Sequence, residues 1–133
     1  MYRGINDLET TAYNLDDFIQ CCKNNKKRVL VHNDARLNAR EQFGIYTDAD
    51  LLEFIGNQGL EDLTYVNTEP WRLNPKKDKK ILIDAYNFHT NLKLGYIAFM
   101  IGFSGKYEIK SFHLDKEKLT TKNLGNNSEK LLR

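Results

Sequence analysis

Residues 94–114 read LGYIAFMIGFSGKYEIKSFHL, and this stretch decides the fold. Apolar residues recur on both sides of Ser104-Gly105, a dipeptide typical of a tight β-hairpin turn. A two-residue turn there predicts three directly opposed pairs on one face: Met100 with Ile109, Ala98 with Ser111, and Tyr96 with His113. The other face, rich in large apolar side chains, is predicted to pack on helices. Tyr96 and His113 then face outward, whereas a one-residue slip would put them on opposite faces.

The hairpin extends upstream into a meander. The run KKILIDAYNF at 79–88 has the same strand-like pattern, and residues 90–93 are predicted to turn the chain into the hairpin. Residues 63–66, LTYV, are compatible with a further short strand. The run EPWRLNPKKDKK at 69–80 holds both prolines of the chain and is predicted to be a loop. The sequence therefore predicts an antiparallel sheet of three to four strands.

Helical patterns precede the sheet. Three helices are predicted, over 14–24 with Asn14 as N-cap, over 34–43 ended by Gly44, and over 47–58 opened by Thr47. The segment RVLVH at 28–32 fits either a short strand or the entry to the second helix, and its context favours the helix. The prediction is an α+β fold with N-terminal helices packed on the sheet. Residues 1–116 would form a single domain and residues 117–133 a polar, flexible tail.

Neither a membrane segment nor a signal peptide is expected. No apolar run approaches the roughly 20 residues that span a bilayer, and the N-terminus lacks a basic start followed by an apolar run. A cytoplasmic location is therefore predicted. The charge is uneven: residues 1–71 hold 7 Lys and Arg against 12 Asp and Glu, whereas residues 72–116 hold 9 against 4. The basic sheet half would suit an anionic partner such as RNA.

Basic residues of the sheet half are the candidate RNA contacts. Six are predicted: Arg72, Lys76, Lys77, Lys79, Lys80 and Lys110. The alternative interpretation is that the lysine run at 76–80 is only a solvated loop.

Tyr96 and His113 are the candidate catalytic pair. An imidazole that titrates near neutral pH can move protons during bond breaking, and a phenol beside cations can orient a phosphate. These groups suit metal-free RNA cleavage, in which a ribose 2′-hydroxyl attacks the adjacent phosphorus. Lys93 and His89 are further catalytic candidates. The alternative is that Tyr96 and His113 form only a hydrogen-bonded surface pair.

No metal site and no cofactor are predicted. The three histidines, His32, His89 and His113, show no metal-ligand spacing. The sequence also lacks the glycine-rich loops of nucleotide sites and the G-x-S-x-G motif of many hydrolases.

The order of these motifs resembles the motility quorum-sensing regulator family of bacterial toxins, which are RelE-like ribonucleases that cleave messenger RNA and pair with an antitoxin. The likeness covers most of residues 15–114. It rests on LDDFIQCC, ARLNAREQFGI, TDADLLEFIG, ILIDAY, GYIAFMI and EIKSFH in this order. Tyr96 matches the strand tyrosine of the family, and His113 stands where the family has a basic residue that closes the last strand.

The resemblance implies a barnase/RelE-like fold, metal-independent endoribonuclease activity on free or ribosome-bound messenger RNA, and a neutralising antitoxin partner. The chain departs from the family at Ile83, where the family has a polar residue before its Asp-x-Tyr strand motif, and at Tyr65, where it has a lysine. The long connection at 67–80 also differs. A non-catalytic RNA-binding or immunity-like protein-binding module on the same fold is therefore the alternative.

Overall fold

The computed structural model describes residues 10–115, which form three helices packed on one face of a five-stranded sheet. The helices are α1 (Leu15–Asn24), α2 (Asn33–Phe43) and α3 (Asp48–Gly56). The strands are β1 (Val29–Val31), β2 (Glu61–Pro70), β3 (Leu82–Thr90), β4 (Lys93–Ile101) and β5 (Tyr107–Leu114). Within residues 10–115 no helix is long and apolar enough to cross a membrane. The predicted tail at 117–133 lies outside the described residues.

The three predicted helices are confirmed, and local contacts set their ends. The side chain of Asn14 accepts a hydrogen bond from the backbone N–H of Asp17 and opens α1. Thr47 accepts in the same way from the N–H of Asp50 and opens α3. Gly44 ends α2 with a φ of 71°, a left-handed conformation that glycine adopts without steric cost.

The helices cover the sheet with a largely aromatic core. Phe18 of α1 stacks on Phe99 of β4 with ring centroids 3.9 Å apart. Phe43 of α2 lies 4.7 Å from Phe112 of β5. Phe18, Phe99 and Phe112 are fully buried, and each such ring removes roughly 150–250 Å² of surface from water. The face predicted to pack on the helices is therefore the one that does so.

The prediction for residues 28–32 was wrong, because this segment does not enter the second helix. Val29–Val31 form β1, which pairs in parallel with residues 107–109 of β5. The sheet order is β1-β5-β4-β3-β2, so the sheet is mixed and has five strands rather than three to four antiparallel ones. A segment of three residues is too short to show a strand-like alternation, and its partner β5 is the last strand in chain order. The α+β class itself is confirmed.

Strand β2 is longer than the sequence predicts. It runs through Glu69 and Pro70, which the sequence assigns to a loop. Pro70 fits there because β2 is an edge strand and needs no ladder partner on its outer side. The connection to β3, which we call the 71–81 loop, is ordered around Asn74. This side chain is buried, and its amide donates to the carbonyl oxygen of Lys79 at 2.6 Å.

The β4–β5 hairpin also differs from the prediction near its turn. The backbone N–H of Gly102 donates to the carbonyl oxygen of Lys106 at 3.0 Å, so the turn contains three residues rather than two. Gly105 supplies the left-handed conformation that this turn requires, with a φ of 84°. Near the turn, Met100 consequently pairs with Glu108, one residue away from its predicted partner.

A β-bulge in β5 takes up this one-residue difference. Phe99 pairs with Ile109 while the neighbouring Ala98 pairs with Ser111, so Lys110 is the extra residue. Beyond the bulge the pairing returns to the predicted register.

The bulge also decides which β5 side chains face the helices. In a regular strand, alternation from the buried Ile109 would place Phe112 outside and His113 inside. With the bulge, Phe112 is fully buried in the core and His113 lies opposite Tyr96 on the other face. The predicted Tyr96–His113 pairing is confirmed, although the turn and ladder that produce it differ from the prediction.

On the helix-covered face, a buried carboxylate ties the start of the described chain to the sheet. Asp84 of β3 is fully buried and accepts hydrogen bonds from the backbone N–H groups of Ala12 and Tyr13, at 3.0 and 2.9 Å. The hydroxyl of Thr68 donates to the same carboxylate at 2.6 Å. The Tyr13 hydroxyl donates to the carbonyl oxygen of Leu82 at 2.7 Å. The chain before α1 is thus fixed against β3.

Deleting Lys110 is expected to leave the fold intact, because the deletion removes the extra residue and keeps every other β5 side chain on its own face. Deleting Ala98 from β4, which contributes no extra residue, would turn part of that strand over. Two-dimensional NMR spectra should show a folded first variant that keeps the Tyr96–His113 ring contact, and an unfolded second variant. Unfolding of both variants would contradict the bulge assignment.

Asp84→Asn is expected to lower the free energy of unfolding by about 2–4 kcal/mol. The new amide places an N–H₂ group opposite one of the donors that the carboxylate now accepts from, and that donor then has no acceptor. Urea denaturation measures this loss. Asp78→Asn, an exposed change in the 71–81 loop, is the matched control and should stay within about 0.5 kcal/mol of wild type. A comparably small loss for Asp84→Asn would show that the carboxylate does not hold the segment.

Candidate functional site

The candidate site lies on the face of the sheet away from the helices, which we call the outer face. Two neighbouring rows of side chains cross this face from β3 to β5: Asn87, Tyr96 and His113 in one row, and Ala85, Ala98 and Ser111 in the next. A cleft of about 340 Å³ opens above the second row, between the sheet and the 71–81 loop. Tyr96 belongs to the first row and lines this cleft.

Tyr96 and His113 stack on each other, with ring centroids 5.0 Å apart and planes inclined by 22°. The Nδ1 atom of His113 lies 2.8 Å from the carbonyl oxygen of Leu114. A carbonyl oxygen only accepts hydrogen bonds, so Nδ1 carries the hydrogen of this contact. In the neutral ring, Nε2 then has a lone pair that can accept a proton. The imidazole is therefore set to take up a proton at Nε2.

The phenol of Tyr96 is held in its protonated form. Burial raises the pKa of Tyr96 above the ordinary value of 10.0, and the negative charges of Glu69 and Asp115 raise it further. The side-chain amide of Asn87 donates to the Asp115 carboxylate at 2.8 Å and so holds that charge beside the row. Tyr96 can therefore donate a hydrogen bond through its O–H at neutral pH.

The bulge brings a cation to the cleft. Lys110 and Ser111 are consecutive, yet both line the cleft, which regular strand alternation would not allow. The Nζ atom of Lys110 lies 5.5 Å from the centroid of the Trp71 ring, within cation–π range. Arg72 also lines the cleft. Of the six predicted RNA contacts, Lys110 and Arg72 are the two that reach it.

The other four predicted RNA contacts lie on the 71–81 loop outside the cleft. Lys76 lies over an aromatic ring of the β4–β5 hairpin, with its Nζ 4.9 Å from the centroid. The Nζ atom of Lys77 donates to a carbonyl oxygen of its own loop at 2.6 Å. Lys79 and Lys80 are exposed. Together these lysines form a basic rim beside the cleft.

The structure does not bring Lys93 or His89 to the cleft. Lys93 faces the helices, where its Nζ donates to the carbonyl oxygen of Gln42 at 2.7 Å. His89 is on the outer face but lies apart from the cleft lining, with its Nδ1 3.7 Å from a carboxylate oxygen of Asp62. We therefore leave both residues out of the site.

Two residues in the cleft wall, Glu69 and Trp71, could not be predicted from the sequence. Both belong to the proline-containing run at 69–80, to which no strand register can be assigned from sequence. In the structure Glu69 pairs with Ile83 at the end of β2. Glu69, Trp71 and Ile83 all line the cleft. The available signal was a lone tryptophan inside a basic segment. Ile83 gives this part of the wall an apolar surface.

Comparisons with known proteins do not identify the chain: no protein-family model matches it, and neither a curated protein nor a solved structure does. The resemblance to the motility quorum-sensing regulator family therefore stays a prediction. Within residues 10–115, no group of three or more His, Cys, Asp and Glu is placed to hold a metal ion. We accordingly infer function from the geometry of the cleft.

The raised pKa of Tyr96 predicts a stability change at alkaline pH. The unfolded chain loses this phenolic proton first as pH rises, so part of the folding stability present below pH 10 is lost above it. Tyr96→Phe should therefore show a smaller fall in unfolding free energy between about pH 9 and pH 11 than wild type. Tyr46→Phe, whose ring is 63% exposed, is the matched control. Equal pH slopes for wild type and Tyr96→Phe would contradict the assignment.

Proposed function

We propose that the chain is an endoribonuclease that cleaves messenger RNA by metal-independent general acid–base catalysis. The observation that supports this most directly is the stack of Tyr96 and His113 beside a cleft whose walls hold Lys110 and Arg72. Tyr96, Lys110 and Arg72 line the cleft, and His113 stacks on Tyr96 beside it. A proton acceptor, a protonated phenol and two cations are the groups that RNA transesterification needs.

His113 is the proposed base. Its Nε2 takes the proton of a ribose 2′-hydroxyl while the 2′-oxygen bonds to the adjacent phosphorus and the bond from phosphorus to the 5′-oxygen breaks. The departing 5′-oxygen receives a proton from the Tyr96 hydroxyl, and the proton taken up by His113 returns to Tyr96 through water. The products are a 2′,3′-cyclic phosphate and a free 5′-hydroxyl.

The cations and carboxylates have opposite roles in this proposal. Lys110 and Arg72 neutralise the negative charge that builds on the phosphate oxygens in the transition state. Burial and the charges of Glu69 and Asp115 raise the pKa of Tyr96, so the phenol keeps its proton until the 5′-oxygen departs. The carboxylates thereby preserve a hydrogen-bond donor at the cleft.

We extend the proposal to the biological role that the sequence resemblance implies. The chain would be the toxin of a bacterial type II toxin–antitoxin system, with a barnase/RelE-like arrangement and a cytoplasmic site of action. Its protein antitoxin would neutralise it by covering the cleft. The motif order over residues 15–114 supports this role, as does an outer face that no helix of the described chain covers.

A non-catalytic RNA- or protein-binding module is the second candidate. The acidic groups beside the ring stack favour it, because Glu69 and Asp115 lie close enough to Tyr96 to raise its pKa and would also repel a phosphate. Such a protein would bind RNA through its basic rim and leave the RNA intact.

His113→Ala tests the enzyme directly. Purified wild type should cleave single-stranded RNA in the presence of a chelator and leave 2′,3′-cyclic phosphate ends. His113→Ala should lose about 10²- to 10⁴-fold in rate, since this is the usual contribution of a general acid or base. On controlled induction in a bacterial host, only the wild type should arrest growth and fragment RNA.

His89→Ala is the matched control, since it removes an outer-face histidine that lies apart from the cleft lining. This variant should keep the wild-type rate. Intact RNA after treatment with wild type would reject the enzyme in favour of the binding module. Equal losses in the two histidine variants would reject His113 as the base.

A further inference from the structure

A row of short side chains forms the floor of the cleft. Four side chains in register cross it from β2 to β5: Asn67, Ala85, Ala98 and Ser111. All four line the cleft. The two central residues contribute only methyl groups, while the two ends of the row carry an amide and a hydroxyl. An apolar strip with a hydrogen-bonding group at each end matches the face and edges of a nucleobase.

Trp71 forms a wall between this cleft and a second depression. It lines both cavities, and the second one also contains Arg72, Lys77 and Lys80. Both cavities contain basic side chains, but the first also has the apolar floor of Ala85 and Ala98. An adjacent pair of this kind suits consecutive parts of one polynucleotide, a base and then a phosphate.

The indole N–H of Trp71 adds a separate observation. Its Nε1 atom is buried and has no hydrogen-bond partner among the described residues. A tilted contact with Phe103, at 6.2 Å between centroids, holds the ring against the β4–β5 hairpin. Buried donors without an acceptor are rare in folded proteins, and this one belongs to a residue that lines both cavities.

We propose that the cleft is a nucleobase subsite for single-stranded RNA, in which one unpaired base lies over Ala85 and Ala98 against the Trp71 ring. The phosphate of the neighbouring nucleotide then lies in the second depression, beside Lys77 and Lys80. This inference rests on the proposed function, since it places the base one row of side chains from the Tyr96–His113 pair. Base identity is read at the cleft ends, by Asn67 and Ser111.

The geometry selects single-stranded over duplex RNA. A cleft of about 340 Å³ is near the lower end of small-molecule sites, which accommodates a single base and not a stacked helix. In duplex RNA both faces of a base are covered by its neighbours, and its edge is paired, so the base must first leave the helix. Duplex RNA therefore reaches only the basic rim.

Trp71 is the single tryptophan of the chain, so tryptophan fluorescence reports on the surroundings of this one residue. The probe is a 2′-O-methyl oligonucleotide, which cannot be cleaved because its 2′-oxygen carries no proton. We expect the single strand to quench the Trp71 emission saturably in both wild type and His113→Ala. The same strand annealed to its complement should bind at least tenfold more weakly and quench little.

Two further variants separate base stacking from loop packing, with binding measured by anisotropy of a labelled probe. Trp71→Phe keeps an aromatic wall and should bind within about threefold of wild type, whereas Trp71→Leu should lose at least tenfold, as expected for one stacked base.

Ser111→Ala should reduce the preference among oligonucleotides of the four bases. Ser104→Ala, in the exposed hairpin turn, is its matched control and should not.

The outcomes distinguish this inference from the proposed enzyme. Saturable quenching by the single strand, without any cleavage of ordinary RNA, would support the subsite and overturn the ribonuclease. Cleavage of RNA by a protein whose Trp71 emission does not change would support the ribonuclease and overturn the subsite. Equal binding of single strand and duplex, or equal affinity in Trp71→Phe and Trp71→Leu, would also overturn the subsite.

Discussion

The extra residue in β5 is the constraint on which both faces of the sheet depend. Lys110 reverses the alternation of the strand, so that Phe112 enters the aromatic core and His113 leaves it. Exposing a fully buried phenylalanine would cost about 1.5–3 kcal/mol, which penalises any register that exposes Phe112 and buries His113. Core packing therefore fixes the position of His113, the proposed general base, although His113 itself contributes little to the core.

The two faces of the sheet differ in the size of their side chains. The helix-covered face carries large rings that fill space, and Asp84 uses its buried carboxylate there to hold the chain before α1. The outer face carries Ala85 and Ala98 at its centre, where larger residues would fill the cleft. A loop covers this gap instead of a helix, and the buried Asn74 keeps that loop in shape. Stability and a ligand-sized cavity thus come from opposite sides of the same strands.

Features set by neighbouring residues could be predicted from the sequence, and those set by distant contacts could not. Asn14, Thr47 and Gly44 mark helix ends because caps are local. The sequence allows strand β1 only as the less favoured alternative, because its partner β5 lies at the far end of the described chain. The Tyr96–His113 pairing was right because a longer turn and a bulge offset one another, and neither leaves a clear signal in the sequence. The positions of Glu69 and Trp71 in the cleft wall could not be predicted, because a proline at 70 indicates a loop unless the strand is known to lie at the edge of the sheet.

The place of β5 in the chain also sets an order of events during synthesis. Strand β1 pairs with β5, and α2 packs on β5, so the first half of the chain emerges from the ribosome with its apolar faces uncovered. The partners of β1 and α2 on β5 are complete only after residue 114 has been made. His113 is among the last described residues to be joined. A nascent chain or an interrupted translation product therefore lacks the assembled ring pair, and any chemistry at the cleft waits until synthesis of the sheet is finished.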